Sequence, residues 1–160
     1  MPSPRKKSWR EKLADSKGFP QVAKIDASKT KHWGTGTFVI PAPLEVDAAM
    51  KQIRKGKLTT IDAIRTSLAK KHGSTIACPL TTGIFAWIAA HAANESESDG
   101  TKRITPYWRT LKAKGELNPK YPGGIANLQR RLEEEGHEII QRGQRFFVAD
   151  YESALTEPKL

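Results

Sequence analysis

The feature that most constrains the fold of this chain is a pair of apolar stripes at helical spacing, separated by a short break. The first stripe, Ile61, Ile64 and Leu68, ends at Gly73. The break is Ser74–Pro79, and the second stripe then leaves little polar surface; its members are Ile84, Phe85, Trp87, Ile88, Ala89 and Ala92. Two helices joined by a short turn predict a helix-turn-helix, although helical hairpins also occur in proteins that do not bind DNA.

Two further helices and a hairpin are predicted around this pair. Apolar residues recur at helical spacing over 45–54 and again from Ile125 to Gly136. Two short apolar runs, 139–140 and 146–148, flank Arg142 and Gly143, which is typical of a β-hairpin. The predicted fold class is therefore mainly α with a small β-hairpin, a winged helix-turn-helix domain in which Arg142 and Arg145 place positive charge on the wing.

Charge suggests the class of partner and divides the chain. The 27 Lys and Arg residues exceed the 17 Asp and Glu residues, which gives a net charge of +10. A polyanion such as nucleic acid suits this charge, although a basic composition alone is equally compatible with a merely soluble protein. We expect residues 1–33, with nine Lys or Arg, to be a basic extension that is loosely packed or ordered on binding; residues 34–150 form the domain, and 151–160 a tail.

The composition argues against several other classes of protein. One cysteine, Cys78, allows no disulfide within the chain, and the four histidines share no metal-binding spacing, so we expect neither a metal nor a cofactor. There is no apolar run of about 18 residues and no signal-peptide core at the N-terminus. We therefore expect a protein that is not inserted in a membrane, located in the cytoplasm and on the nucleoid when it is bound to DNA.

Three segments, in the correct order, resemble the DNA-binding domain of the O6-alkylguanine-DNA alkyltransferases and their alkyltransferase-like relatives. Ile40–Pro41, Gly56–Lys57 and the helix from Thr60 are similar to the family's "IP…GKV.TY..IA" segment. The sequence ITPYWR, 104–109, is similar to the active-site segment "IPCHR". The sequence YPGG, 121–124, and the later Leu132 and EGH, 135–137, are similar to "Y.GG…LL..EGH". The resemblance covers roughly residues 38–138.

The departures from the family pattern bear on activity. Tyr107 stands where the family has its alkyl-accepting cysteine, and Trp108 replaces the histidine that activates the thiol. A phenol with a pKa near 10 is mostly neutral at neutral pH and is a poor nucleophile, so we expect no alkyl transfer to Tyr107. Glu135 matches the glutamate that orients that histidine, and without an imidazole we expect it to serve as a cap or in a surface salt bridge.

The resemblance also implies where DNA would bind. The family's nucleotide-rotating tyrosine aligns with Ile61, and its inserted arginine aligns near Leu80. The recognition helix would lie in the minor groove, with the small residues Thr81, Thr82 and Gly83 at its start; either threonine is suited to cap that helix. Further contacts are expected to the DNA backbone and to the base. Thr60, Gly123 and Gly124 would contact the DNA backbone, and Arg109 and Tyr121 would lie near the base.

Three functional hypotheses remain open at this point. The first is a non-catalytic sensor of alkylated guanine or related damage in double-stranded DNA, with Tyr107 and Trp108 lining a base pocket or simply filling a lost active site. The second is an alkyltransferase with an unconventional acceptor such as Cys78, although a lone cysteine is more often a small buried residue. The third is a general architectural or regulatory DNA binder. In each case we expect a monomer. If the protein is a sensor, we also expect DNA-repair proteins as its partners.

Overall fold

Six α-helices and seven short strands make up residues 6–160, the part of the chain that the computed structural model describes. Residues 1–5, including Arg5 of the predicted basic extension, lie outside it. The helices are α1 (Trp9–Ala14), α2 (Thr30–Trp33), α3 (Pro43–Lys51), α4 (Ile61–His72), α5 (Pro79–Ser98) and α6 (Gly124–Glu134). The strands are β1 (Gln21–Lys24), β2 (Thr37–Ile40), β3 (Thr59–Thr60), β4 (Ile76–Ala77), β5 (Thr110–Leu111), β6 (Ile139–Arg142) and β7 (Arg145–Val148). The fold is thus mainly α with small β elements, as the sequence predicts.

Helix α5 is the centre of the packing. It contacts α1, α3, α4 and the short 3-10 turn Tyr107–Arg109. Its alanine-rich stripe is buried from Phe85 to Ala93, because small side chains let neighbouring helices approach on several sides. No helix among residues 6–160 is both long enough and apolar enough to cross a lipid bilayer.

The strands form three small sheets. Strand β2 pairs antiparallel with β1 and parallel with β4, so β4 leads directly from the sheet into α5. Strands β3 and β5 pair in parallel, with Thr60 opposite Leu111. Strands β6 and β7 form the predicted hairpin, in which Gly143 has a φ of 62° that the tight turn requires.

Several predicted element boundaries are corrected by the structure. The helix expected over 45–54 is α3, which starts earlier because Pro43 suits the first turn and which ends at Lys51. Helix α5 starts at Pro79 and not beyond Thr81 or Thr82. The stretch 94–103 was expected to be a surface loop. Its first five residues belong instead to the end of α5, which ends at Ser98, and the first glycine of the stretch, Gly100, follows two residues later.

The N-terminal extension is not loosely packed within residues 6–33. Trp9 of α1 lies against Trp87 and stacks on His91 of α5, with ring centroids 4.8 and 4.5 Å apart. The carboxylate of Glu95 accepts hydrogen bonds from the backbone N–H groups of Trp9 (3.0 Å) and Arg10 (3.1 Å). Aromatic burial and capping of α1 therefore hold this segment on the domain, contrary to the expectation from its charge.

The C-terminal segment also packs against the domain. Leu58 donates its N–H to Ala154 O at 2.9 Å, and its own carbonyl accepts from Thr156 N at 2.7 Å. Further along, Lys159 N donates to Gln52 Oε1 at 2.9 Å, and the buried Ser67 hydroxyl donates to the Pro158 carbonyl. Residues 155–159 therefore run beside α3 and α4.

Candidate nucleic-acid interface

The start of α4 lies beside the start of α5. Thr60 is the N-cap of α4, and its Oγ1 accepts a hydrogen bond from Ala63 N at 3.1 Å. Arg65 lies one helical turn after Ile61 on the same face, and its Nε donates to Ala77 O at 2.9 Å. Because Ala77 comes directly before the N-cap of α5, this bond ties the second turn of α4 to the start of α5.

The first turn of α5 exposes apolar side chains and uncapped backbone. Its N-cap, Cys78, makes no side-chain hydrogen bond to the helix, so the first-turn N–H groups lack a side-chain acceptor. Leu80 is 70% exposed and Ile84 is 40% exposed. Between them, a Cβ added to Gly83 would meet no other atom within 4 Å, so the backbone there is open to close approach.

The two threonines predicted at this interface do not present hydroxyl groups to it. Thr82 is fully buried, and its Oγ1 donates to Cys78 O at 2.7 Å. The Thr81 Oγ1 is also buried and has no hydrogen-bond partner among the described residues. Gly83 lies open at its Cβ position, and Thr81 and Thr82 stay predicted members of the interface through their small side chains near the start of α5.

A basic cleft lies between the segment that follows β5 and the hairpin. Lys112 and Lys114 line it, and Lys112 directly follows Leu111, the residue that pairs with Thr60. The tip of the hairpin adds Arg142 and Arg145 to the same cleft of about 450 Å³. Arg145 is neutralised by Glu116, to which its Nε and Nη2 donate at 3.1 and 2.6 Å. These hydrogen bonds hold the pKa of the Glu116 carboxyl below its usual value.

Tyr107 is sealed inside the core. It is 0% exposed, and its hydroxyl oxygen accepts a hydrogen bond from Asn127 Nδ2 at 2.9 Å. Its ring meets Trp108 and Tyr121 edge to face, at 5.2 and 6.2 Å between centroids. Tyr121 is buried as well, and burial raises the pKa of its phenol. The prediction that Tyr107 and Tyr121 line a base pocket is therefore corrected: both fill the core.

Trp108 and Arg109 converge on a buried carboxylate. Trp108 Nε1 donates to Glu135 Oε2 at 2.9 Å, while Arg109 Nε and Nη2 donate to the two carboxylate oxygens at 2.9 and 2.7 Å. Arg109 Nη1 also donates to Ile53 O at 2.7 Å. Arg109 thus braces the core and Trp108 joins the same network, while both also line a cleft of about 690 Å³ with Lys102 and Arg103.

The sequence suggested a cap or a surface salt bridge for Glu135. In the structure its ion pair with Arg109 is buried. Its side chain is 7% exposed. Burial alone would raise the pKa of this carboxyl, but hydrogen bonds from Arg109 and Trp108 outweigh that effect and hold the pKa below its usual value. An ionised, fully hydrogen-bonded Glu135 is a structural group here.

The YPGG turn has a conformational role. Gly123 and Gly124 have φ values of 74° and 65°, which side chains rarely tolerate. A Cβ on Gly123 would lie 2.6 Å from Asn127 Cβ, and Asn127 Nδ2 donates to Pro122 O at 2.9 Å. The turn therefore holds Asn127 in the position from which its Nδ2 donates to the Tyr107 hydroxyl.

Cys78 lies at the interface but is not accessible. The residue is 6% exposed, and its N–H donates to Val39 O at 2.9 Å at the junction of β4 and α5. Ile61, also expected near the base, is half-buried against the core at the first position of α4.

Sequence reasoning missed Lys112, Lys114 and Ile84. The lysines were visible as charge, but only the structure reveals that they line one cleft with Arg142. Ile84 was assigned to the buried stripe, and in the structure it lies on the exposed edge of that stripe.

Comparison with known proteins finds similarity of fold to two solved structures. The sequence matches no protein-family model and no curated protein. Two solved structures from S. pombe are similar: Atl1 in complex with damaged DNA containing O6-carboxymethylguanine (21% identity, TM-score 0.51) and ATL in complex with DNA (23% identity, TM-score 0.52). Each match covers 72% of this chain and 94% of the other.

This chain has the alkyltransferase-like fold. At this level of identity the likeness concerns the fold. The part of this chain outside the matched 72% is not covered by either structure. Within the alkyltransferase-like fold, the segments ITPYWR and EGH noted in the sequence meet through the hydrogen bond from Trp108 to Glu135.

Proposed function

We propose that this chain is a non-catalytic, alkyltransferase-like protein that binds double-stranded DNA and recognises alkylated guanine or related damage. In this proposal α4 and α5 form a helix-turn-helix and β6–β7 its wing. The observation that carries the non-catalytic part is Tyr107, which occupies the acceptor position, is fully buried and is hydrogen-bonded to Asn127. The basic cleft of Lys112, Lys114 and Arg142 supports the DNA part.

The test is a fluorescence binding titration with two matched duplexes, one with O6-methylguanine and one with guanine, at near-physiological salt. The proposal predicts tighter binding to the alkylated duplex, with the lesion chemically intact afterwards. Absence of binding to either duplex at low salt would overturn it.

A general duplex binder is the second candidate, and the burial of Tyr107 and Tyr121 favours it. Equal affinity for the two duplexes would establish this candidate. Tyr107→Phe separates the roles further, because it removes only the hydroxyl that Asn127 contacts. If Tyr107 is filler, the variant loses about 1 kcal/mol of stability and keeps the affinity ratio of the two duplexes.

Alkyl transfer to Cys78 is disfavoured by the burial of the thiol. Incubation with a benzylguanine substrate tests it directly: stoichiometric labelling that disappears in Cys78→Ala would replace our proposal with an enzyme. As further parts of the proposal, the protein acts in the cytoplasm, on the nucleoid when bound, as a monomer that recruits DNA-repair proteins.

A further inference from the structure

A second cleft lies at the last turn of α5, at the opposite end of that helix from its exposed first turn. It has a volume of about 690 Å³ and forms where the end of α5 meets α6 and the segment that leads into the 3-10 turn Tyr107–Arg109. We call it the α5-end cleft. Five of its lining residues are basic and one is acidic: Lys51, Lys102, Arg103, Arg109 and Arg131 against Glu97.

Carboxylates of the protein itself neutralise three of these cations. The pairs are Arg109 with Glu135, Lys51 with Asp47, and Arg131 with Glu97. Lys102 and Arg103 are exposed, and neither side chain has an ion pair among the described residues. The α5-end cleft therefore keeps two positive charges, those of Lys102 and Arg103, that no group in the described part of the chain balances.

The segment that carries these two cations is fixed at both ends. Thr101 N donates to Ser96 O at 3.0 Å, which closes the end of α5. The buried Thr105 hydroxyl donates to Asp47 Oδ1 at 2.7 Å. The backbone that presents the cations is therefore already ordered, which lowers the entropic cost of binding a partner.

Trp108 and Arg131 provide the contact surface inside the cleft. The guanidinium of Arg131 lies over the half-buried indole of Trp108, 4.5 Å from the ring centroid. Trp and Arg are the residue types that most often anchor a protein partner, because both offer a large planar face. Glu97, the partner of Arg131, is 41% exposed, so a carboxylate from another molecule can take its place at the guanidinium.

We propose that the α5-end cleft binds an acidic segment of a partner protein, whose carboxylates pair with Lys102 and Arg103 while an apolar side chain packs on Trp108. This inference rests on the proposed function and names the surface and the chemistry by which a partner is recruited. Duplex DNA also supplies anions, but its bases are stacked inside the helix and offer no apolar side chain to Trp108.

The position of the cleft lets both partners bind at once. Helix α5 has 20 residues and spans about 30 Å, and the cleft lies at its far end from the first turn. Charges on the surface are screened over about 8 Å at physiological salt, so a duplex at the first turn should repel an acidic segment in the cleft only weakly.

The experiment titrates the full chain into a short fluorescein-labelled peptide rich in Glu and Asp with one central Phe, at near-physiological salt, and follows anisotropy. The double variant Lys102→Ala and Arg103→Ala should weaken peptide binding about tenfold, because two carboxylate contacts are lost. The double variant Lys24→Ala and Lys31→Ala is the matched control. It removes the same charge from exposed residues of β1 and α2 and should change the affinity little. Replacing the Phe of the peptide by Ser should weaken binding to the wild type.

Glu97→Gln tests the competition for Arg131. The substitution frees the guanidinium and removes a charge that repels the peptide, so it should tighten binding about threefold. Glu134→Gln is its control, because it breaks an equally exposed type of ion pair, with Arg130 of α6, outside the cleft. It should leave the peptide affinity nearly unchanged.

Equal losses of peptide affinity in the two double variants would overturn the inference, because binding would then follow total charge. Circular dichroism should show every variant folded. A guanine duplex added to saturation should leave the peptide bound, and displacement of the peptide would assign the cleft to DNA and overturn the inference. Binding of the duplex without binding of the peptide would overturn the inference alone. Binding of the peptide without binding of any duplex would instead overturn the proposed function.

Discussion

At the scale of the residue, Glu135 organises the centre of the alkyltransferase-like fold in this chain. Three donors from Trp108 and Arg109 surround a carboxylate that has almost no contact with water. The indole N–H of Trp108 and the guanidinium of Arg109 thus tie the 3-10 turn Tyr107–Arg109 to the end of α6.

Removing the charge of Glu135 should be costly. Glu135→Gln leaves the buried guanidinium of Arg109 without its ion pair, so we expect a loss of about 3 kcal/mol of unfolding free energy in urea titrations. The matched control is Glu134→Gln, which removes only an exposed ion pair with Arg130 and should change stability little. Equal effects of the two substitutions would contradict the buried network.

The same carboxylate should make stability depend on pH. The folded-state pKa of Glu135 lies below its ordinary value of about 4.3, so its contribution is fully present above that value. The contribution is lost as pH falls through the folded-state pKa. In urea titrations from neutral pH to about pH 3, the difference between wild type and Glu135→Gln should shrink at the acidic end.

His137 provides a second, separate pH window. Burial lowers the pKa of its imidazole, so folding disfavours its protonation and stability should fall as pH drops below about 6.5. This loss should occur with and without Glu135→Gln, although the nearby Glu135 charge opposes part of the pKa shift. Because the Glu135 charge raises the pKa of His137, the loss should be larger in Glu135→Gln, and a loss confined to the wild type would contradict the burial of His137 as its cause.

At the scale of the element, sequence periodicity predicts α4, α6 and the hairpin well, because each carries a clear stripe or turn. It fails at the start of α5, where a capping rule favours Thr81 or Thr82 but Pro79 already suits the first turn. It also fails for α1, whose order depends on contacts of Trp9 with residues far along the chain. Burial of Tyr107 was one of two alternatives that the sequence left open, because residue types alone do not reveal which aromatic side chains face the core.

The hairpin arginines should differ in their effect on DNA affinity. Arg142 is exposed and contacts the ring of Phe147, whereas the charge of Arg145 is already paired with Glu116. We expect Arg142→Ala to reduce the slope of log affinity against log salt by about 1, and Arg145→Ala to reduce it less. Titrations at several salt concentrations measure both slopes, and a larger change for Arg145→Ala would contradict this assignment.

At the scale of the whole molecule, two clefts among the described residues differ in where they place positive charge. One is the cleft of Lys112, Lys114 and Arg142 at the hairpin. The other is a cleft of about 690 Å³ that includes Lys102, Arg103 and Glu97 near the end of α5. A helix of 20 residues spans about 30 Å. Because the second cleft is at the last turn of α5, it lies most of that length away from the first turn of the helix.

This separation predicts unequal effects of charge removal. The double variant Lys112→Ala and Lys114→Ala should weaken duplex binding at near-physiological salt by about tenfold or more, because both lysines line the cleft proposed to bind DNA. The double variant Lys102→Ala and Arg103→Ala removes the same net charge and should weaken it much less. Equal losses would mean that binding depends on total charge and not on the proposed surface.

The packing of the C-terminal segment has a consequence for synthesis of the chain on the ribosome. Leu58 bonds through both its N–H and its carbonyl to residues 154 and 156, almost one hundred positions later in the order of translation. These bonds form only after that segment has emerged, when α3, α4 and α5 have long been exposed. The nascent protein therefore carries unpaired backbone groups at Leu58 until residues 154–156 have emerged, and a chaperone that shields such an edge would find its substrate there.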